Sequence, residues 1–185
     1  AQAAYEAGAI YGGLIFVESS PRAVNEEQAR KVIAAAPLSY VGVFRNADIN
    51  DIAAKADALS LSAVQLHGDE DQAYIDALRH VLAPQVQIWK AQSVGATLPA
   101  RNLKHVDKYV LDNGQGGTGQ RFDWSLLRGE VLDNVLLAGG LSPDNCVEAA
   151  KTGCAGLDFN SGVESQPGIK DASKLASVFK TLRAY

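Results

Sequence analysis

Seven short apolar runs alternate with amphipathic or glycine-punctuated segments along the whole chain, at residues 9–17, 40–44, 63–66, 86–91, 108–111, 134–138 and 155–159. Near-continuous apolar runs of this length mark strands buried on both faces. The segments between them read as helices over 26–36, 48–59 and 70–81, with a weaker helix near 96–102 and a short one after Asp123-Trp124. A further helix opens at Ser142 and Asp144 and runs to Thr152, and a closing amphipathic helix covers 171–182. Strict alternation with short connections predicts an α/β chain with a parallel sheet and helices outside it. Residues 1–7 read as the end of a helix stopped by Gly8, so the chain opens on a helix rather than a strand. Seven strands plus one absent leading strand would close a (β/α)8 TIM barrel. The echo between residues 6–16 and 151–159, helix stop, glycine and strand, suits that closure. An open doubly wound sheet is the alternative.

At 185 residues the chain is long enough for one domain with a substantial core. Its formal net charge of −4, with no basic run, argues against a nucleic-acid partner. No apolar stretch approaches the ~18–20 residues a membrane span needs, and no secretory leader is visible, so the expected setting is cytoplasmic. Cys146 and Cys154 match no zinc spacing and read as small core residues. The sequence has no methionine and begins inside a helix-like run without a capping residue, which reads as a domain whose first part is missing.

In a parallel α/β protein the chemistry gathers at the carboxyl ends of the strands. The residues placed there are Glu18 to Arg22, Arg45, His67, Gln92, Asp112, Gly139-Gly140 and Asp158 to Gly162. Asp112 ends the run Tyr109-Val-Leu111 and precedes a loop containing Gly114, Gly116, Gly117 and Gly119. Such a carboxylate serves as a catalytic acid or base, or it caps the turn. A lone His67 is more often a buried, hydrogen-bonded imidazole than a catalyst, and Arg22 is read equally as a ligand or a solvated side chain. The loops Gly139-Gly-Leu-Ser-Pro-Asp-Asn145 and Asn160-Ser-Gly-Val-Glu-Ser165 offer bare backbone N–H groups and a hydroxyl. N–H groups so arranged bind phosphate without a lysine, and in barrels this site often follows strands seven and eight. Two ordinary tight turns are the plainer reading. A metal-dependent sugar-phosphate epimerase needs more ligands than His67 supplies, since His80 and His105 fall outside the strand ends.

Several stretches, in order along almost the whole chain, resemble the phosphoribosylanthranilate isomerases. They are Gly13-Leu-Ile-Phe16 with Ser20-Pro-Arg22, Val41-Gly-Val-Phe44, Val64-Gln-Leu-His-Gly68, Leu111-Asp112 with Gly116-Gly-Thr-Gly119, and Phe122-Asp-Trp124. Leu137-Ala-Gly-Gly-Leu141 with Pro143-Asp-Asn145, and residues 158–164 with Pro167-Gly168, complete the set. The resemblance implies an Amadori rearrangement in tryptophan biosynthesis, without metal or organic cofactor. It implies Asp112 as general acid, which must keep its proton near neutral pH, as burial favours. Arg22 would hold the anthranilate carboxylate, Asp158 the sugar hydroxyls, and Gly139, Gly140, Ser161 and Gly162 the phosphate, with His67 lining the mouth. The general base it implies is a cysteine on a first strand that would precede Ala1, in a Lys-x-Cys-Gly-like motif. Neither Cys146 nor Cys154 stands at a strand end that could replace it. The resemblance is greatest to the enterobacterial form, in which this domain is fused to indole-3-glycerol-phosphate synthase. An open seam where that strand is absent would invite association with another chain.

Overall fold

The computed structural model describes residues 1–114 and 121–185. They divide into two compact units, Ala1–Lys90 with Asn102–Asp107, and Ala91–Arg101 with Lys108–Tyr185. The first contains α1 (Gln2–Ala7), β1 (Tyr11–Ile15), α2 (Glu26–Ala35), β2 (Ser39–Phe44), α3 (Ile49–Ala58), β3 (Ala63–Leu66) and α4 (Gln72–Val81). Strand β4 (Gln87–Ser93) starts in the first unit and ends in the second. The second continues with β5 (Lys108–Asp112), β6 (Val135–Leu137), α5 (Cys146–Ala150), β7 (Gly156–Leu157), β8 (Glu164–Gln166), β9 (Ile169–Lys170) and α6 (Ala172–Ala184).

Strands β1 to β4 pair in that order, all parallel, as do β5, β6 and β7. In neither unit does the strand order reverse, as a doubly wound sheet requires at its switch point. The seven parallel strands and their outer helices are the (β/α)8 class predicted from the alternation. Each unit has its own core. In the first, Leu14, Phe44, Val64, Leu66 and Ile88 pack with Ile52, Ile75 and Leu78 from α3 and α4. In the second, Leu111, Val135 and Leu137 pack with Trp124, Leu127, Leu141 and Ala149. Among the described residues no helix is long and apolar enough to cross a membrane.

Local chemistry sets the helix starts. Asn25 and Gln28 form a reciprocal capping box on α2, and Asp48, Asp71 and Asp171 accept first-turn N–H groups of α3, α4 and α6. Each such cap stabilises its helix by about 1 kcal/mol. On α2 the exposed pairs Glu26–Arg30 and Glu27–Lys31 add a few tenths of a kcal/mol each. Pro37 keeps α2 from continuing.

Five expectations need correction. Strand β1 is not buried on both faces: only Leu14 is buried, while Ile10 and Tyr11 are 71% and 39% exposed. It pairs with β2 alone among the named strands and carries Gly12 and Gly13, which have no side chain to bury. Strand β7 shrinks to two half-buried residues. Residues 96–102 form no helix; Gly95 and Pro99 oppose helical backbone, and the Gln92 side chain instead donates to the Ala100 carbonyl at 2.9 Å. Helix α5 begins at Cys146 rather than Ser142, because Asn145 turns back, accepting from the Ser142 N–H at 2.9 Å and donating to the Gly140 carbonyl at 2.8 Å. Finally, residues 160–170 are not a plain loop: a single 3-10 turn at Ser161–Val163 leads into the β8–β9 hairpin, with Gly168 at φ 84° in its turn. Cys146 is buried with its thiol near the Pro143 carbonyl, and burial pushes the Cys154 thiol up, as fits two small packing residues.

Candidate active site

In the second unit the parallel register lines up three strand ends. Leu111 pairs with Leu137, and Leu137 with Leu157. The Ala138 N–H donates to the Leu111 carbonyl and the Asp158 N–H to the Leu137 carbonyl, both at 2.8 Å. Asp112, Gly139 and Asp158 therefore leave adjacent strands at one level. Asp112 is 6% exposed and accepts the Gly114 N–H at 2.7 Å. The turn-capping reading is thus realised by one carboxylate oxygen, and it fixes the carboxylate's plane. Of the glycine loop, Gly114 lies at φ 74°, whereas Gly116, Gly117 and Gly119 fall outside the described residues.

Gly139 has to be glycine for two reasons. Its φ is 82°, and a Cβ there would stand 3.3 Å from the Asn113 nitrogen and 3.5 Å from Asp112 Cα and Cβ. Gly140 follows at φ 68°. Gly162 packs its bare Cα against the Leu141 carbonyl, where a Cβ would collide with backbone. The loops after β6 and β7 are consequently in direct contact. Among the described residues the N–H groups of Gly139, Gly140, Ser161 and Gly162 have no acceptor, and the Ser161 hydroxyl has no partner. Asp158 is exposed beside them. The structure thus brings together Asp112, Gly139, Gly140, Asp158, Ser161 and Gly162. Gln92, at the end of β4, holds a buried Oε1 with no partner among the described residues.

In the first unit the loop after β1 folds back on its own strand. Val24 N–H donates to the Ile15 carbonyl at 2.9 Å, and Arg22 N–H to the Ser20 hydroxyl at 3.2 Å. This carries the half-buried Arg22 to the end of β1. Arg45 is exposed after β2. His67 is half-buried after β3, its N–H donating to the Phe44 carbonyl at 2.8 Å and its Nδ1 lying 3.3 Å from Gln65 Nε2.

Under these turns lies an ion pair that sequence reasoning missed. Lys90 Nζ is 2.8 Å from Glu70 Oε2, with the two side chains 7% and 1% exposed. The ammonium also donates to the Gly68 carbonyl at 2.7 Å, and the carboxylate accepts the N–H groups of Asn46 and Gly68 at 2.8 and 2.9 Å. Burial pushes the Glu70 carboxyl up, but Lys90 and the N–H donors outweigh it and hold it below its ordinary value. Tyr74 braces the turn after β2 through its hydroxyl on the Ala47 carbonyl at 2.6 Å; burial first, then the charges of Glu70 and Asp48, push its phenol up to about 12. The available sequence signal was Lys90, the one charged residue of β4. Among the described residues no three His, Cys, Asp or Glu side chains gather to hold a metal ion.

Residues 1–181 match the family model of N-(5'-phosphoribosyl)anthranilate (PRA) isomerase. The chain is 75% identical, over its full length, to the tryptophan biosynthesis protein TrpCF of Salmonella typhi, of whose length it spans 41%. A crystal structure of phosphoribosyl anthranilate isomerase from Thermus thermophilus superposes with a TM-score of 0.85 at 29% identity, covering 98% of this chain and 92% of that one. Another phosphoribosyl anthranilate isomerase, in complex with reduced 1-(o-carboxyphenylamino)-1-deoxyribulose 5-phosphate, gives 0.80 at 29% identity, covering 99% and 92%.

Proposed function

We propose that this chain, which belongs to the N-(5'-phosphoribosyl)anthranilate isomerase family, carries the isomerase step of tryptophan biosynthesis. The reaction converts N-(5'-phosphoribosyl)anthranilate, an aminoaldose, to 1-(2-carboxyphenylamino)-1-deoxyribulose 5-phosphate, an aminoketose. The observation that carries this reading is the row of acceptor-free N–H groups at Gly139, Gly140, Ser161 and Gly162 beside the buried carboxylate of Asp112. N–H groups of this kind suit a dianionic phosphate. The bound product-like ligand of a structural relative carries such a phosphate.

In this scheme Asp112 gives a proton to the ribose ring oxygen as the C1'–O bond breaks, and the nitrogen lone pair forms an iminium. A base then takes the C2' proton, and the resulting enolamine tautomerises to the ketone, returning a proton at C1'. Asp158 receives the sugar hydroxyls, and the Arg22 guanidinium fork pairs with the anthranilate carboxylate. His67 borders the substrate without taking a proton. The base implied by the family is a strand-end cysteine. Cys146 lies in α5 and Cys154 on the turn after it, so neither takes that role. We place the base in sequence ahead of Ala1, and assign the remaining three-fifths of a TrpCF-length protein to a fused indole-3-glycerol-phosphate synthase domain.

Turnover of phosphoribosylanthranilate, followed by loss of its fluorescence, tests the reading in this chain and in one preceded by a cysteine-bearing first strand. Activity only in the extended chain supports both the isomerase and the missing base. Binding of product analogue with no turnover in either would favour a non-catalytic sugar-phosphate-binding module instead. The phosphate assignment has its own test. Gly162→Ala drives a methyl into the Leu141 carbonyl and parts the two loops. It raises KM at least about tenfold, the loss of one charge-assisted hydrogen bond, and weakens inhibition by inorganic phosphate to match.

A further inference from the structure

The turn that carries Ser161 and Gly162 is gripped by a lysine from the hairpin behind it. The Lys170 ammonium, in β9, donates to the Asn160 carbonyl at 3.0 Å, to the Asn160 side-chain oxygen at 2.7 Å and to Glu164 Oε1 at 3.0 Å. An ammonium has three protons, so a phosphate could reach this one only by displacing a partner. The Glu164 side chain is 4% exposed and also accepts the Gly168 N–H at 3.1 Å, which fixes the carboxylate that holds the lysine. Asn160 is joined to Ser161 by a trans peptide, whose C=O and N–H lie in one plane and point opposite ways. Lys170 on the carbonyl therefore sets the direction of the Ser161 N–H, which points away from the lysine and has no acceptor among the described residues. The ammonium also draws electron density from that carbonyl. Hydrogen bonds in series polarise one another, so the N–H of the same peptide becomes a stronger donor. On the other side Gly162 rests on the Leu141 carbonyl.

We propose that Lys170 is a positioning residue for the phosphate cradle: by gripping Asn160 it aims and strengthens the Ser161 N–H, and Glu164 keeps it in place. This role rests on the phosphate reading of Gly139, Gly140, Ser161 and Gly162 given above. Every residue in the arrangement belongs to the second unit. Lys174 supplies a contrast. From α6 it donates to the Glu164 carbonyl at 2.8 Å, so its hydrogen bond braces the same hairpin and is not made to Asn160.

The test uses full-length protein labelled with 15N in serine and glycine, with inorganic phosphate as the probe, and needs no turnover for its first readout. In the parent protein phosphate shifts the Ser161 and Gly162 amide signals. Lys170→Met keeps a long side chain and removes the ammonium. It weakens phosphate binding at those amides about tenfold and raises KM to match, with kcat held within about threefold, the signature of lost binding rather than lost chemistry. Lys170→Arg keeps the charge and the donors and recovers part of the loss. Lys174→Met loosens the hairpin yet leaves phosphate affinity and KM within about twofold. Unchanged phosphate affinity in Lys170→Met overturns the proposal. So does an equal loss in Lys174→Met, which would reduce Lys170 to a brace of the hairpin. If Lys170→Met does not fold, Asn160→Ala, which removes the nearest of the three acceptors, carries both readouts with a loss of about threefold. A parent protein whose Ser161 and Gly162 amides ignore phosphate defeats the cradle reading itself. Equal responses in the parent and in Lys170→Met defeat only the role of Lys170.

Discussion

Asp112→Asn lowers kcat by about 10²–10⁴-fold, the usual share of a general acid, and leaves affinity for a product analogue nearly unchanged. The substitution suits the question because it keeps the size of the side chain and the hydrogen bond that caps the turn. An asparagine oxygen still accepts the Gly114 N–H, and the side-chain volume against Gly139 is preserved. The amide has no transferable acidic proton. Steady-state kinetics of the full-length protein, with binding of the reduced product analogue measured separately, separates the two roles. Comparable turnover in the variant would reduce Asp112 to the turn cap that its hydrogen bond also makes it.

Glu70→Ala is expected to cost the fold about 3–5 kcal/mol, because it strands a buried ammonium and two backbone N–H groups at once. Urea unfolding of the variant measures this. Removing both charges in Glu70→Ala/Lys90→Met costs less than Glu70→Ala alone, since no unpaired charge then remains buried. The pH dependence has a definite sign. Glu70 in the folded state titrates below its ordinary value of 4.5, so near and below that pH the folded state binds fewer protons than the unfolded one. Its contribution is full above that ordinary value and is lost as pH falls through the lower folded value. The stability gap between the parent protein and Glu70→Gln, which cannot titrate, therefore narrows on acidification below about pH 4.5. A gap that widens instead would mean that Lys90 does not hold the carboxylate charged.

What the sequence could say follows from the range of its signals. A strand buried between helices must be apolar throughout, so β2 to β6 were legible as short runs. Caps act over three residues, so Asn25, Asp48, Asp71 and Asp171 mark helix starts almost to the residue. Strict alternation implied the parallel (β/α)8 class, and strand ends located Asp112, Asp158 and the two glycine loops. Where local signals conflicted, reading failed: residues 96–102 hold apolar spacing but follow Gly95 and contain Pro99, and backbone chemistry prevailed. The start of α5 was misjudged because Asn145 folds its side chain back along the loop, a choice that periodicity does not encode.

The sequence by itself determined the order of elements, the class of fold and the type of residue at each strand end. Only the tertiary structure decided which of those residues meet. That Gly162 rests on the Leu141 carbonyl and that Lys90 finds Glu70 beneath Gly68 are contacts between segments up to 22 residues apart. Pattern and propensity act within a few residues of the chain. Burial of a charge or an amide is made tolerable by whichever partner the parallel register brings alongside, and that partner exists only once the strands have paired.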